Sequence, residues 1–306
     1  MNQKEYNNMN TRKTGCIAIV GRPNVGKSTL LNAILGEKVA IVSAKPQTTR
    51  NRITGILTRG EEQFVFLDTP GIFQPRNSLN SYMVRTANAS IQDADAVVLV
   101  ADAGREVSQV ESRVMEHCKK QEVPCILALS KADLYTGQEV AEAILRYAPL
   151  HDFAAVVPLS AKTGKGVSDL LDECRHFLHE SDWFFPEDIA TDQTERQMAA
   201  EIIREKILRT LNKEIPHGVA VVIEQFTEDA KTGMISIRAE IYCEKASHKG
   251  IIVGKGGEEL KRIGSYARAD MESLFGTKVY LDLWVKVKEN WRESEVSVTN
   301  FGYRDN

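Results

Sequence analysis

From Gly15 to about Leu178, short apolar runs alternate with amphipathic stretches. The runs are Cys16–Val20, Phe64–Leu67, Ala96–Ala101, Ile126–Leu129 and Val156–Pro158. Near-continuous hydrophobic runs of this length fit strands covered on both faces, as in a parallel sheet flanked by helices. Between them, Ser28–Leu35 and Arg113–Gln121 carry helical periodicity. This half predicts a doubly wound, mostly parallel α/β domain, whose ligand belongs at the carboxyl ends of the strands. The alternation breaks at Ser181-Asp-Trp-Phe-Phe-Pro-Glu-Asp. A helical stretch follows over Thr191–Leu211, then strand-like runs Gly218–Phe226 and Met234–Cys243 with a turn at Asp229–Gly233. Ser247–Val253, a glycine cluster, a helix over Glu258–Phe275 and a strand over Lys278–Lys288 complete an α-β-β-α-α-β order. The second half is therefore an α+β domain of different build.

The expected boundaries are a flexible tail over 1–13, the first domain over 14–181, a linker over 182–192, the second domain over 193–292 and a C-terminal tail over 293–306. A length of 306 residues accommodates two domains. The formal charge of −3 offers no bulk attraction to nucleic acid or an acidic membrane, so such binding needs a local patch. Five scattered cysteines without a C-x-x-C pair argue against a zinc site or disulfide framework and fit a reducing cytosol. The polar start lacks the apolar core of a signal peptide, and no apolar run is long enough to span a bilayer.

The chemistry begins at Gly21-Arg-Pro-Asn-Val-Gly-Lys-Ser28, a G-x-x-x-x-G-K-S phosphate-binding loop between a strand and a helix. Backbone N–H groups from Gly21 to Thr29, including those of Asn24, Val25 and Gly26, and the helix N-terminus suit phosphate. Lys27 is expected on the β- and γ-phosphates and Ser28 on Mg²⁺. Asp68-Thr69-Pro70-Gly71 ends the next core run: the carboxylate suits the metal shell and the Gly71 amide the γ-phosphate. One of Thr48 and Thr49, in Gln47–Arg50, should complete that shell. Ser130-Lys131-Ala132-Asp133 follows a core run. Asp133 can accept both donors on guanine's edge, N1–H and the exocyclic amine, and Lys131 can lay its stem on the base. Ser160-Ala161-Lys162 suits a backbone contact to the guanine oxygen. Together these motifs predict GTP or GDP as ligand and hydrolysis of GTP. Ile72 stands where some GTPases place a water-orienting glutamine, so turnover should be slow and rely on another group.

In the second half, Gly254-Lys255-Gly256-Gly257 is a G-x-x-G loop between two helices, as in a type II KH domain that grips single-stranded RNA. Five basic residues against two acidic ones between Lys245 and Arg262 make the local patch that the acidic whole lacks. Ile251, Val253, Lys255 and Lys261 are the expected contacts beside the three glycines. Trp284 reads as half core, and Trp291 is left open.

The chain resembles the Era family of GTPases over nearly its whole length. GRPNVGKSTLLN from Gly21, KPQTTR from Lys45, DTPG from Asp68, FPED from Phe185, EIIREK from Glu201, IVGKGG and LWVKVKENWR carry the resemblance. It implies a monomeric ribosome-assembly factor that binds the 3′ end of 16S rRNA and the 30S subunit through its KH domain. It implies a cytoplasmic location with part of the protein peripheral on the membrane. It also points to Thr49 as the Mg²⁺ ligand and to Asn24 as a residue holding K⁺, which makes Asn24, Lys27, Thr49 and Gly71 the expected catalytic set. The family's guanine motif is N-K-x-D, and here Ser130 replaces the asparagine. The serine should recover only part of the asparagine's bonding, through water, so Ser130→Asn should tighten nucleotides. Beyond Phe301-Gly-Tyr303, the last residues share little with the family pattern. Two other readings are a double-G-domain GTPase, opposed by the single phosphate loop, and a small-molecule kinase, opposed by Asp133.

Overall fold

The computed structural model describes residues 12–211 and 215–304. The chain divides into two compact units. The first holds the described residues up to Ala40 with Asn51–Phe73 and Arg85–Asp192. The second holds Ile41–Arg50, Gln74–Val84 and the described residues from Gln193 on.

The first unit is built on β1 (Lys13–Val20), β2 (Ile53–Arg59), β3 (Glu62–Asp68), β4 (Ala96–Asp102), β5 (Cys125–Ser130), β6 (Ala155–Pro158) and the short β7 (His179–Glu180). The strand order is β2-β3-β1-β4-β5-β6, with β7 on β1. All pairs along this path are parallel except β2 with β3. The apolar runs become strands because both faces are covered: Ile17, Ile19, Val98 and Val100 pack on one side, Ala18, Val20, Val97 and Leu99 on the other. The covering helices are α1 (Lys27–Leu35), α3 (Gln109–Gln121), α4 (Gly137–Tyr147) and α5 (Val167–Arg175), while α2 (Ser78–Gln92) begins in the second unit and ends in the first. The α/β expectation holds. β2 escapes a search for apolar runs because polar Thr54 and Thr58 interrupt it.

Two boundary expectations change. Lys13, placed in the tail, pairs with Glu62 as the first residue of β1; residues 1–11 of that tail lie outside the described residues. The segment read as a linker is bound to the sheet. Gln63 exchanges side-chain bonds with the Phe185 backbone at 2.8 and 3.0 Å, and Ile56 N donates to Ala190 O at 2.8 Å. An edge strand such as β2 presents unpaired backbone groups, and this segment covers them.

The second unit contains α6 (Glu195–Thr210), β8 (Ala220–Glu228), β9 (Ile235–Cys243), α7 (Ala246–Val253), α8 (Glu258–Phe275), β10 (Val279–Val287) and α9 (Glu295–Asn300). Its sheet runs β10-β9-β8, with β9 parallel to β10 and antiparallel to β8. One face meets the helices through Ile203, Ile237, Ile241, Ile263 and Met271. The α-β-β-α-α-β order is the one expected, with α9 added. Trp284, expected as half core, is 58% exposed on the other face, whereas Trp291 is fully buried. The expected C-terminal tail folds back instead: Ser294 caps α9, and Phe301 and Tyr303 pack on Trp291 at 5.2 and 6.0 Å. Ring packing of Phe301 and buried Tyr303 on buried Trp291 opposes the entropy of ordering this segment.

Ile41–Arg50 belongs to this unit through polar bonds that no motif announces. Val42 N donates to Glu205 Oε1 at 3.1 Å, and Arg209 donates to Val42 O at 2.9 Å. Arg204 donates to Thr48 O. Arg50, 1% exposed, donates to Val219 O at 2.6 Å, His217 O at 2.8 Å and Tyr303 OH at 3.0 Å. No helix among the described residues is long and apolar enough to cross a membrane.

Candidate nucleotide and RNA sites

In the first unit the expected segments converge at the carboxyl ends of β1, β3, β5 and the loop after β6. Gly26 precedes α1, so the free N–H groups of that helix face the loop it closes. Ser28 Oγ lies 2.6 Å from Asp68 Oδ2, which brings together a hydroxyl and a carboxylate, oxygen donors of the kind a small hard cation takes. Ile72 N donates to Gly21 O at 3.2 Å, so the Asp68–Gly71 turn lies against the phosphate loop. Gly71 has no substitute there: a Cβ would come within 2.8 Å of Pro23 backbone. Asp68 and Thr69 are fully buried, and Thr69 Oγ1 donates to Ile19 O.

Lys27 Nζ caps its own loop, donating to Gly21 O at 3.2 Å and Arg22 O at 2.9 Å. Burial pushes its ammonium down to about 8, with Asp68 pulling it back up. A phosphate must raise that value again, because it favours the charged form. Below pH 8 the lysine is already charged and affinity should be flat. Above pH 8 binding must take up a proton, so GDP affinity should fall by up to about tenfold per pH unit. Titrations from pH 7 to 9.5 check this, and a flat profile would show that the ammonium stays charged throughout.

The segment expected to read the base is tied to the phosphate loop directly. Ser130 Oγ, with Ser130 only 4% exposed, lies 2.7 Å from Val25 O and 3.0 Å from Ala101 O. The expected water is not needed. The hydroxyl already makes the loop-to-loop bond, and Ser130 is buried, so a longer amide would have to displace its neighbours. Ser130→Asn should therefore bring no gain, contrary to the sequence reading. Ser130→Ala should weaken GDP and GTP alike by about 1 kcal/mol, roughly fivefold. Titration with a fluorescent GDP analogue measures both variants.

Lys131 Nζ donates to Asn24 O at 3.0 Å. Asp133 is exposed in the single 3-10 turn Ala132–Leu134, and Ala132 N donates to Leu159 O at 3.0 Å, joining this turn to the loop that carries Ser160, Ala161 and Lys162. Ser160 Oγ accepts from Thr163 N, which curls that loop. Thr48 and Thr49 lie in the second unit's segment, and Thr49 is 6% exposed. Sequence reasoning missed Glu111. Fully buried, it takes Arg22 Nε of the phosphate loop at 2.8 Å. Ser108-x-x-Glu111 is legible as a capping box, but the partner 89 residues away is not.

In the second unit, α7 and α8 flank the loop Gly254–Gly257. Gly256 has φ 62°, and a Cβ there would meet nothing within 4 Å, so the loop surface is open to a closely approaching backbone. Lys255 and Lys261 are exposed beside it, and Ile251 is 49% exposed while Val253 is half-buried. Apolar and basic groups thus share one end of the unit, the pairing a single-stranded nucleic acid requires.

This fold and these motifs define a P-loop GTPase with an appended KH domain. The family model described as "50S ribosome-binding GTPase" matches residues 16–131, and the KH domain model matches residues 214–292. GTPase Era of Clostridium kluyveri is 46% identical over 95% of this chain and 99% of its own length. GTPase Era of Syntrophus aciditrophicus is 48% identical over 96% of each chain. The structure of a point variant of Aquifex aeolicus Era bound to GDP·AlF4⁻ aligns with a TM-score of 0.92 at 38% identity, over 96% of this chain and all of that one. An Era structure in complex with MgGDPNP and nucleotides 1506–1542 of 16S ribosomal RNA aligns with a TM-score of 0.91, also at 38% identity and with the same coverage. The chain belongs to the Era family of GTPases and hydrolyses GTP to GDP and phosphate.

Proposed function

We propose that this GTPase is a nucleotide-driven switch that binds the 3′ end of 16S rRNA through Gly254–Gly257 and acts in assembly of the small ribosomal subunit. The observation that carries it is the pairing, in one chain, of the Ser28–Asp68 clasp with an open glycine loop flanked by Lys255 and Lys261. The relative with nucleotides 1506–1542 supports the choice of RNA.

In this reading Lys27 holds the β- and γ-phosphates, and the amides from Asn24 to Thr29 wrap them. Ser28, Thr49 and Asp68 provide oxygen for Mg²⁺, which when bound offsets charge on the phosphate oxygens. The Gly71 amide faces the γ-phosphate, close to the phosphate loop. Asp133 accepts guanine N1–H and the exocyclic amine, Lys131 lies along the base, and the backbone of Ser160–Lys162 meets the guanine oxygen. Ile72 is buried and has no polar group, so water must be oriented by backbone and by charge. Asn24 is the K⁺ ligand in this proposal. Turnover should be faster in K⁺ than in Na⁺ at matched ionic strength and lose that difference in Asn24→Ala; equal wild-type rates remove the K⁺ site.

Crosslinking in cells, followed by sequencing of the bound RNA, tests the function. Reads should concentrate at the 3′ end of 16S rRNA within 30S particles. An even spread over ribosomal RNA would defeat the proposal. Fractionating the cells first shows whether part of the protein sits peripherally on the membrane.

A further inference from the structure

The base-reading loop is held by a carboxylate that none of the nucleotide motifs includes. Asp102 closes β4, a strand otherwise wholly apolar, and is 3% exposed. In register it lies beside Ser130, the last residue of β5. One carboxylate oxygen accepts Lys131 Nζ at 2.9 Å, with the largely exposed Arg105 Nε at 3.5 Å. The other accepts Tyr135 OH at 3.0 Å and Gly104 N at 3.2 Å. Burial pushes the Asp102 carboxyl up, but the bonds from Lys131 and Tyr135 more than offset it and hold it below the usual carboxylate range. Tyr135 is seated against Gly104, where a Cβ would come within 2.2 Å of its ring.

The ammonium that Asp102 holds is also the bridge between the two loops. Lys131 Nζ donates to Asn24 O, and both residues are left-handed without being glycine, with φ of 60° at Lys131 and 63° at Asn24. Such conformations persist only where surrounding contacts enforce them. Lys131 also directly precedes the turn that presents Asp133. Ser130, with one hydroxyl, contributes a single neutral bond to the same junction.

We propose that Asp102 is a positioning residue of the nucleotide site: by fixing Lys131 it docks the base loop on the phosphate loop and sets the affinity for guanine nucleotides, with Tyr135 as its brace. This rests on the reading of Lys131 and Asp133 as the guanine slot. Asp102→Asn is the informative variant, because the amide keeps an acceptor for Tyr135 and Gly104 and removes the charge that holds Lys131.

The full-length protein is titrated with fluorescent GDP and GTP analogues, and turnover is measured across GTP concentration. Asp102→Asn should weaken both nucleotides equally, by roughly tenfold, the scale of one charge-assisted bond. KM should rise accordingly, with turnover at saturating GTP within about twofold of wild type. Asp102→Glu should recover most of the affinity, and Tyr135→Phe should cost roughly threefold. Wild-type affinity in Asp102→Asn overturns the proposal. So does a loss confined to GTP, which would place the effect at the γ-phosphate. A loss that Asp102→Glu does not recover, together with a fall in melting temperature, makes Asp102 a folding residue and also overturns it. The base preference of Asp133→Asn is measured alongside. If that variant switches base while Asp102→Asn is neutral, Asp102 alone is misassigned; if it does not switch while Asp102→Asn weakens binding, the slot reading falls and the docking role stands.

Discussion

Replacing Asp133 by asparagine should convert a guanine-selective site into one that prefers xanthine nucleotides. Asp133 sits on a single exposed turn at the exit of β5, and the bond from Ala132 N to Leu159 O fixes that turn against the next loop. A carboxylate accepts two hydrogen bonds from guanine, at N1–H and at the exocyclic amine. An amide can accept only one and turns a donor toward the other. Xanthine carries a carbonyl where guanine carries the amine, so the amide suits it. GTP binding should weaken by on the order of a hundredfold or more, because a site built for specific donors rejects a partner that leaves its polar groups unpaired. Xanthosine triphosphate should gain a comparable amount. Competition titrations with both triphosphates and ATP measure the switch. Undiminished GTP preference in the variant would show that Asp133 does not read the base.

The double replacement of Lys255 and Gly256 by aspartate should abolish RNA binding while leaving GTP hydrolysis in place. The loop between α7 and α8 presents its backbone to solvent with Lys255 exposed beside it. Two carboxylates there would face phosphates across the closest approach in the complex, and like-charge juxtaposition costs several kcal/mol. The loss should be on the order of a hundredfold or more in an anisotropy assay with 3′-terminal 16S RNA. Gly256 is left-handed, a conformation aspartate tolerates better than most residues, and its Cβ would project into open space, so the fold should survive. Circular dichroism and the GTPase rate verify this. Lys255→Ala, which removes charge without adding strain, should show a smaller loss and a shallower salt dependence. Undiminished RNA affinity in the double variant would remove the glycine loop from the RNA site.

Much of the nucleotide site was legible because its elements are local. Gly21–Ser28 and Asp68–Gly71 each pack the chemistry expected of them into a few consecutive residues at the end of an apolar run, where strand and turn coincide. Gly254–Gly257, the proposed RNA loop, is likewise a local turn between two helices. The runs themselves became β1, β3, β4, β5 and β6 because nearly every side chain in them is apolar, which leaves burial on both faces as their only favourable setting.

What the sequence could not decide is how polar residues far apart along the chain would find one another. Asp102 and Tyr135, Arg22 and Glu111, and Arg50 with Trp291 and Tyr303 carry no periodic signal, and each depends on strands and loops brought together by packing. Arg204 and Glu205 look like solvated positions of an amphipathic helix. They are buried, and each shares one hydrogen bond with the segment around Val42 and Thr48, while Glu201 and Lys206 supply further partners. The C-terminal residues, read as a tail, are ordered by rings whose partners lie on β9 and after β10. Ser130 shows the same division. Its identity was plain in the sequence, but whether one hydroxyl could reach the phosphate loop depended on a distance of 2.7 Å to Val25 O, set by the pairing of β4 with β5 and the seating of α1. Local pattern therefore fixed the elements and the chemistry they carry, whereas burial and long-range hydrogen bonding, which only the folded chain can satisfy, decided what holds that chemistry in place.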